Sequence, residues 1–199
     1  MKCGDFLYNV EEKKEFLRER LSKKRYTHSL NVADECLALA RVYGEDEEKC
    51  YFAGLMHDVC KEIPAEKQRE MVIKSRLAVS DSELSSKPLW HAVAGAWYIE
   101  HELGITDRDI INAVRFHTIA RAGMTRIEEI VYLGDLVSAD RTFKDVKKMR
   151  KLAYTDINKA MLEALKYSIM SVLEKGGYIP RYTGEAYNQY AFLCSNKEK

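Results

Sequence analysis

The chain has 199 residues, and its 32 lysines and arginines against 31 aspartates and glutamates give a formal charge of +1 at pH 7. Hydrophobic residues make up 46% and charged residues 32%, which excludes disordered, fibrous and low-complexity proteins. The near-zero charge gives no sign of an extended polyelectrolyte partner, so we expect no nucleic acid to bind. A chain of this length fits a single domain, which we predict over residues 1–199.

Helical periodicity runs through nearly the whole chain, and alternating strand patterns are absent from the sequence. Pro64, Pro88 and Pro180 all fall between periodic segments. We therefore predict an all-α fold, a single-domain helical bundle. The predicted helices cover about residues 10–21, 26–43, 47–60, 65–74, 89–103, 107–117, 130–139 and 155–175, of which the last is the longest.

Capping residues indicate several helix ends. Gly44 is predicted to end the second helix and Asp107 to begin another. Thr125 and Glu128 fit a capping box before the helix at 130–139. The tail from Tyr178 to Tyr190 mixes proline, arginine, threonine, glycine and tyrosine, and we predict a loop there.

The cysteines indicate the compartment. They are odd in number and form no C-x-x-C pair, so we expect reduced thiols and a cytoplasmic protein. Residues 1–10 lack the apolar core of a signal peptide, and no later window approaches the roughly 18 apolar residues of a membrane span. We expect neither export nor membrane insertion. The cysteines are Cys3, Cys36, Cys50, Cys60 and Cys194.

Histidines carry the chemical signal. Four of the five fall on four different predicted helices in apolar or small-residue surroundings, which predicts a metal site inside the bundle, although each alone also fits a buried histidine satisfied by a hydrogen bond. Adjacent helix residues point about 100° apart, yet a carboxylate next to an imidazole suits two metals that share it. His101, flanked by glutamates, is assigned to the surface. The candidate ligands are His28, His57, Asp58, His91, His117 and Asp135.

Imidazole and carboxylate ligands without thiolate favour iron, manganese, cobalt or zinc in an open site. Glycine-rich phosphate loops are absent from the sequence, so a metal or side chains would have to hold any phosphates. Four cations lie close in sequence to the candidate ligands and could surround such phosphates. They are Arg25, Lys61, Arg121 and Arg141, and for Arg121 the question is left open.

Five motifs occur in order along the chain: R-x-x-H-S at 25–29, H-D-x-x-K at 57–61, H-A-x-x-G-A at 91–96, R-x-H-T at 115–118 and D-x-x-S-A-D-R at 135–141. This set resembles the HD-domain metal-dependent phosphohydrolases. It is most similar to the bacterial YqeK family of symmetrical diadenosine tetraphosphate (Ap4A) hydrolases, over about residues 25–188. That family more often has glycine where this chain has Ala120.

The resemblance implies two divalent metal ions, iron above all, held by the six candidate ligands. It divides the chain into a core at about 25–175 and a nucleotide-contacting tail at about 176–199. The implied nucleotide contacts are Arg25, His28, Lys61, His91, His117, Thr118 and Arg141, with Tyr178, Ile179, Pro180, Arg181, Tyr182 and Thr183 in the tail.

The expected reaction splits Ap4A or a related dinucleoside polyphosphate into two nucleoside diphosphates, by attack of metal-bound water on an inner phosphorus. Asp58 would bridge the metals and orient the hydroxide. Lys61 and Arg141 would hold the reacting and leaving phosphate oxygens. The expected partner is this small molecule, and a homodimer is left open.

Three alternatives share the same ligand set. One is an HD-domain phosphohydrolase acting on a nucleoside triphosphate, a cyclic nucleotide or an alarmone. Another is a nucleotide sensor without turnover, which the intact ligand set and Lys61 disfavour. The third is a mixed-valent di-iron oxygenase, which would consume oxygen.

Overall fold

The computed structural model describes residues 8–75, 77 and 79–196, and the described residues form eleven α-helices, one short 3-10 helix at Lys87–Leu89 and no strand. The predicted all-α class is confirmed. The helices are α1 (Val10–Arg20), α2 (Lys23–Tyr43), α3 (Glu47–Met56), α4 (Ala65–Lys74), α5 (Asp81–Leu84), α6 (Trp90–His101), α7 (Arg108–Phe116), α8 (Arg126–Val137), α9 (Val146–Ala153), α10 (Ile157–Glu174) and α11 (Arg181–Ser195).

The predicted helix ends at Gly44, Asp107 and Thr125 are confirmed. Gly44 ends α2 in the left-handed region, at φ +69°, which glycine adopts without steric cost. The Asp107 and Thr125 side chains accept hydrogen bonds from first-turn backbone N–H groups of α7 and α8. The capping box at α8 is only half formed, because the Glu128 carboxylate pairs with Arg121 instead.

Close contacts among α2, α3 and α8 form the centre of the core. Cys36 of α2 is fully buried between two glycines, Gly54 of α3 and Gly134 of α8. A Cβ atom on Gly54 would lie 2.8 Å from the Cys36 sulfur, and one on Gly134 would lie 2.6 Å from it. These three helices can therefore approach this closely only because positions 54 and 134 carry no side chain.

Two predictions about the helices are wrong. The tail is not a loop, because α11 occupies Arg181–Ser195. The longest helix is α2, with 21 residues, and not α10, with 18. The short α5 and the eight-residue α9 also lie outside the predicted helices.

The four described cysteines are buried thiols, as expected, whereas residues 1–7, which include Cys3, lie outside the described residues. Burial raises the pKa of Cys50 and of Cys60 to about 12, so both remain protonated at neutral pH. Within the described part of the chain, no helix has both the length and the apolar character needed to cross a membrane.

Candidate metal centre

Four histidine rings form a row inside the bundle, in the order His28, His57, His117, His91. Successive ring centroids lie 5.3, 5.0 and 5.2 Å apart. Each residue is at most 4% exposed. The four predicted histidine ligands are thus brought together, and we call this arrangement the histidine row.

Two of the rings follow directly after helices. His57 comes after the last residue of α3 and His117 after the last residue of α7. The Nδ1 atoms donate to the carbonyls of Gly54 and Val114, each at 2.7 Å. With Nδ1 protonated, the neutral form of each ring presents an Nε2 lone pair, the state that a metal ligand requires. Burial acts to lower the pKa of His57, but the Asp58 carboxylate raises it above its ordinary value.

Asp58 lies within the histidine row because the chain leaves the helix after Met56. Its Oδ1 is 3.2 Å from His91 Nε2 and 3.6 Å from His117 Nε2, and its Oδ2 is 3.4 Å from His57 Nε2. Burial alone would raise the pKa of Asp58, but the His57 charge and the close contacts with the three imidazoles hold it well below its ordinary value. The turn thus lets neighbouring residues 57 and 58 serve one cluster.

Asp135 of α8 lies at the other end of the row. Its Oδ1 is 3.0 Å from His28 Nε2 and 3.9 Å from His57 Nε2. Burial acts to raise the pKa of Asp135, yet the His28 hydrogen bond, the His57 charge and Arg141 lower it far below its ordinary value. Both candidate carboxylates are therefore ionised at neutral pH.

Two buried atoms of this cluster have no hydrogen-bond partner among the described residues: His57 Nε2 and Asp58 Oδ1. Leaving such atoms buried and unpaired is costly, and a divalent cation would satisfy both. The donor set thus fits a divalent metal. Three groups have ligand atoms all within 4.8 Å of one another: His28, His57 and Asp58; His57, His117 and Asp135; and Asp58, His91 and His117.

His91 and His117, at one end of the histidine row, are held in the neutral form. Burial lowers the pKa of His91 to about 4, against the opposing effect of the nearby Asp58 carboxylate. Burial likewise lowers the pKa of His117. Because only neutral imidazole coordinates a metal, both rings are ready to act as ligands at pH 7 without losing a proton.

Three of the four predicted cations contact the cluster. Arg25 Nη1 lies 2.7 Å from Asp58 Oδ2, and Lys61 Nζ lies 3.0 Å from His91 Nε2. Arg141 pairs with the Asp135 carboxylate and donates from Nε to the Asp135 carbonyl at 2.8 Å. Cations therefore lie at both ends of the histidine row.

Arg121 belongs to a different interaction. Its guanidinium makes two hydrogen bonds, at 2.8 and 2.5 Å, to the fully buried Glu128 carboxylate. It also lies over the Phe116 ring, 5.2 Å from the centroid. The contact with Glu128 gives Arg121 a structural role.

Asp140 is a contact that the sequence argument missed. Its Oδ2 lies 2.8 Å from His28 Nδ1, on the far side of that ring from Asp135. It therefore orients His28 in the way that a carboxylate behind a metal-binding histidine does. Asp140 is the second aspartate of the D-x-x-S-A-D-R motif, but the sequence argument considered only Asp135 and Arg141 of that motif.

The tail lies against the segment that follows α7. The Tyr182 ring meets the Phe116 ring edge to face at 5.6 Å, and Thr183 Oγ1 donates to the Ile119 carbonyl at 2.7 Å. Thr118 Oγ1 is buried and has no hydrogen-bond partner among the described residues. Ala120 is buried with φ at +56°, a left-handed conformation that glycine adopts more readily than alanine.

The remaining tail residues differ in exposure. Tyr178 is 72% exposed and Ile179 is 38% exposed. Pro180 is buried at the start of α11, and Arg181 pairs with Glu185 on the surface of that helix. His101 is also on the surface, as expected, stacked on Trp97 with ring centroids 5.0 Å apart.

Comparison with known proteins identifies the family. Residues 25–142, which hold the whole histidine row and both carboxylates, match the HD domain. The chain belongs to the HD-domain family. An HD-superfamily hydrolase from Clostridium acetobutylicum, described as predicted and as involved in NAD metabolism, has a crystal structure that superposes with a TM-score of 0.89. It is 36% identical, and the match covers 94% of this chain and 98% of that one.

Relatives of similar length carry a more specific name. The symmetrical bis(5'-nucleosyl)-tetraphosphatase of Bacillus subtilis is 32% identical over 84% of this chain and 89% of its own. The protein of the same name from Halalkalibacterium halodurans is 34% identical over 88% and 93%. A longer Mycoplasma genitalium protein, named as a probable nicotinate-nucleotide adenylyltransferase/Ap4A hydrolase, is 29% identical over 76% of this chain and 44% of its own.

Proposed function

We propose that this HD-domain protein hydrolyses Ap4A and related dinucleoside polyphosphates symmetrically, giving two nucleoside diphosphates. The observation that carries the proposal is the buried cluster of four histidines and two aspartates. Within it, His57 Nε2 and Asp58 Oδ1 have no hydrogen-bond partner among the described residues. Two relatives that match this chain over most of their length are named symmetrical bis(5'-nucleosyl)-tetraphosphatases, which supports Ap4A as the substrate. The small, highly charged substrate also agrees with a chain of net charge +1, because the cations needed are local.

We propose two metal ions, iron above all, held by the six predicted ligands. When bound, such ions neutralise phosphate charge and lower the pKa of coordinated water toward about 7. Asp58 can face two ions because its two oxygens lie toward different rings of the row. The residues that would hold them are His28, His57, Asp58, His91, His117 and Asp135.

The flanking cations would position the phosphates. Lys61 and Arg141 lie at opposite ends of the histidine row, so each can hold oxygens on one side of the bond that breaks. Arg25, beside Asp58, would contact the chain between them. Arg141, which pairs with Asp135, would give up part of that contact and bind a phosphate oxygen instead.

The tail and the neighbouring loop would contact one nucleoside. Thr118 has a buried hydroxyl without a partner in the described structure, and it adjoins the loop that the tail covers. We place the nucleoside against these residues and the segment Tyr178–Thr183. The four buried free thiols support the proposed cytoplasmic location.

The experiment separates cleavage position from metal binding. Protein loaded with Fe²⁺ under anaerobic conditions is incubated with Ap4A, and nucleotides are resolved by chromatography. We expect ADP alone, while a mixture of ATP and AMP contradicts symmetrical cleavage. Replacing His57 or Asp58 by alanine should abolish turnover and reduce bound iron, with the surface change His101→Ala as the control. Unchanged iron content would remove that residue from the ligand set.

A further inference from the structure

A cavity of about 510 Å³ opens at the His91 end of the histidine row. Its size lies within the roughly 300–1,000 Å³ of small-molecule sites. Residues 178–183, proposed above to contact one nucleoside, do not line it. Its walls include Lys61, Ile63, Gln68, Lys87, Pro88 and His91. The Glu62 carboxylate also lines it and accepts hydrogen bonds from the Ser22 N–H and hydroxyl at 2.6 and 2.7 Å.

Two lysines of this cavity differ in their surroundings. Lys61 Nζ lies 3.0 Å from His91 Nε2 and 3.8 Å from Asp58 Oδ1, so it connects the cavity to the candidate metal centre. Lys87 is exposed at the start of the 3-10 helix, and no described residue forms an ion pair with it. An anion entering from the metal centre would therefore meet Lys61 first and Lys87 next.

The rest of the wall is preformed. The Gln68 side chain is only 7% exposed, and its Nε2 donates to the Ile63 carbonyl at 2.8 Å. This bond fixes the turn that carries Lys61 and Ile63. Ile63 and Pro88 supply apolar surface on which a flat base can lie.

Symmetrical cleavage defines what such a cavity would hold. A substrate cut at its central bridge has two equal halves, so both must extend away from the metal centre. One cation, Arg141, lies 3.5 Å from His28 Nε2 at one end of the row, and Lys61 lies beside His91 at the other. A half that passes Lys61 would reach the cavity, because Lys61 and His91 both line it.

Resting on the proposed function, we propose that this cavity binds the second nucleoside diphosphate unit of the substrate. Lys87 contacts its phosphates, and Ile63 with Pro88 contacts its nucleoside. Lys87 is then a specificity residue for dinucleotides over mononucleotides, because a mononucleotide can bind through the other half-site alone.

Calorimetric titration tests this site without turnover. The probes are ADP and an Ap4A analogue with methylene in place of the central bridging oxygen, titrated into metal-loaded protein. The variants are Lys87→Glu and the charge-keeping Lys87→Arg. The control is Lys67→Glu, which reverses an exposed charge on α4 away from the cavity lining.

We expect wild-type protein and Lys67→Glu to bind two ADP per chain, and Lys87→Glu to bind one. The Kd for the analogue should rise about tenfold or more in Lys87→Glu, as expected for the loss of a charge-assisted hydrogen bond. Lys87→Arg, which keeps the charge, should retain most of the wild-type affinity. One ADP per chain in the wild type, or an unchanged Kd in Lys87→Glu, would overturn the proposal. Failure of Ap4A to yield ADP overturns the proposed function instead, and the ADP count still decides whether the cavity binds a nucleotide.

Discussion

The ion pair between Glu83 and Arg115 joins α5 to α7 in the interior. Glu83 Oε1 lies 2.5 Å from Arg115 Nη2, and the two side chains are 1% and 3% exposed. The other carboxylate oxygen accepts from the Ser80 N–H and hydroxyl, at 3.0 and 2.8 Å, completing the capping box of α5. Every polar group of Glu83 is thus satisfied in the interior.

Replacing Glu83 by glutamine keeps the size of the side chain and removes the charge that Arg115 faces. Breaking a buried pair from one side costs about 3–5 kcal/mol, since the remaining charge stays desolvated. We therefore expect the free energy of unfolding to fall by about 3 kcal/mol or more. That is a large part of the roughly 5–15 kcal/mol of a typical domain.

The matched control is Glu163→Gln, which breaks the half-exposed pair between Glu163 and Lys166 on α10 and should cost less than about 1 kcal/mol. Urea unfolding at pH 7, followed by circular dichroism, measures both variants. The double variant Glu83→Leu with Arg115→Met should lose less than Glu83→Gln, because no charge is left buried. A loss in Glu83→Gln no larger than in Glu163→Gln would refute the argument.

Three further predictions concern stability, each measured by urea unfolding. Ala120→Gly relieves about 1–2 kcal/mol of left-handed strain but loses a buried methyl of about 0.8 and adds about 0.4–1 of unfolded-state entropy, so the net change should stay within about 1 kcal/mol. A loss above 2 kcal/mol would contradict this. Tyr190→Phe removes a 2.5 Å hydrogen bond to Glu129 and should cost about 1.5–3 kcal/mol, whereas Tyr178→Phe, exposed, should cost almost nothing; equal losses would refute the role of burial. Burial acts to raise the pKa of Asp107, but hydrogen bonds from Lys49 and others lower it, so its contribution is present above about pH 3.9 and is lost as pH falls below that. The stability difference between wild type and Asp107→Asn should therefore shrink from pH 5 to pH 3, and a constant difference would contradict the assignment.

The clustering of the candidate ligands could be predicted because these residues are chemically unusual where they occur. Histidines in apolar helix surroundings are few, and four of them met as expected at the histidine row. The arrangement of neighbouring residues 57 and 58 could not be predicted, because the periodicity of α3 gave no sign that the helix ends at Met56. That end is what brings both side chains to one cluster.

The tail shows a second reason why a sequence prediction failed, because its helix was predicted as a loop. Pro180 and Gly184 made the segment resemble a loop, yet Thr183, Ala186, Tyr190 and Cys194 are all buried. Their spacing of three, four and four is that of one helix face. The stripe was hard to see because only one of these residues, Tyr190, is large and apolar. Hydrogen bonds from Thr183 and Tyr190, as well as packing, hold this face of α11 against the core.

The sequence could not predict which charged residues far apart in the chain form ion pairs. Glu83 and Arg115 are 32 positions apart, and Arg25 and Asp58 are 33 apart. Neither spacing is periodic, so only the packing of helices against one another decides which charges meet. Arg121 illustrates the same point, because its helical offset from a ligand histidine did not prevent it from pairing with Glu128.

The nesting of Cys36 between Gly54 and Gly134 has a consequence for how variants of this protein are interpreted. Gly54 accepts the hydrogen bond that orients His57, and Gly134 directly precedes Asp135. An alanine at either position would force the helices apart and displace a ligand that is itself unchanged. If the proposed metal centre is right, such a variant would lose bound metal while retaining all six candidate ligands, so a screen for metal loss would report residues that never touch the metal.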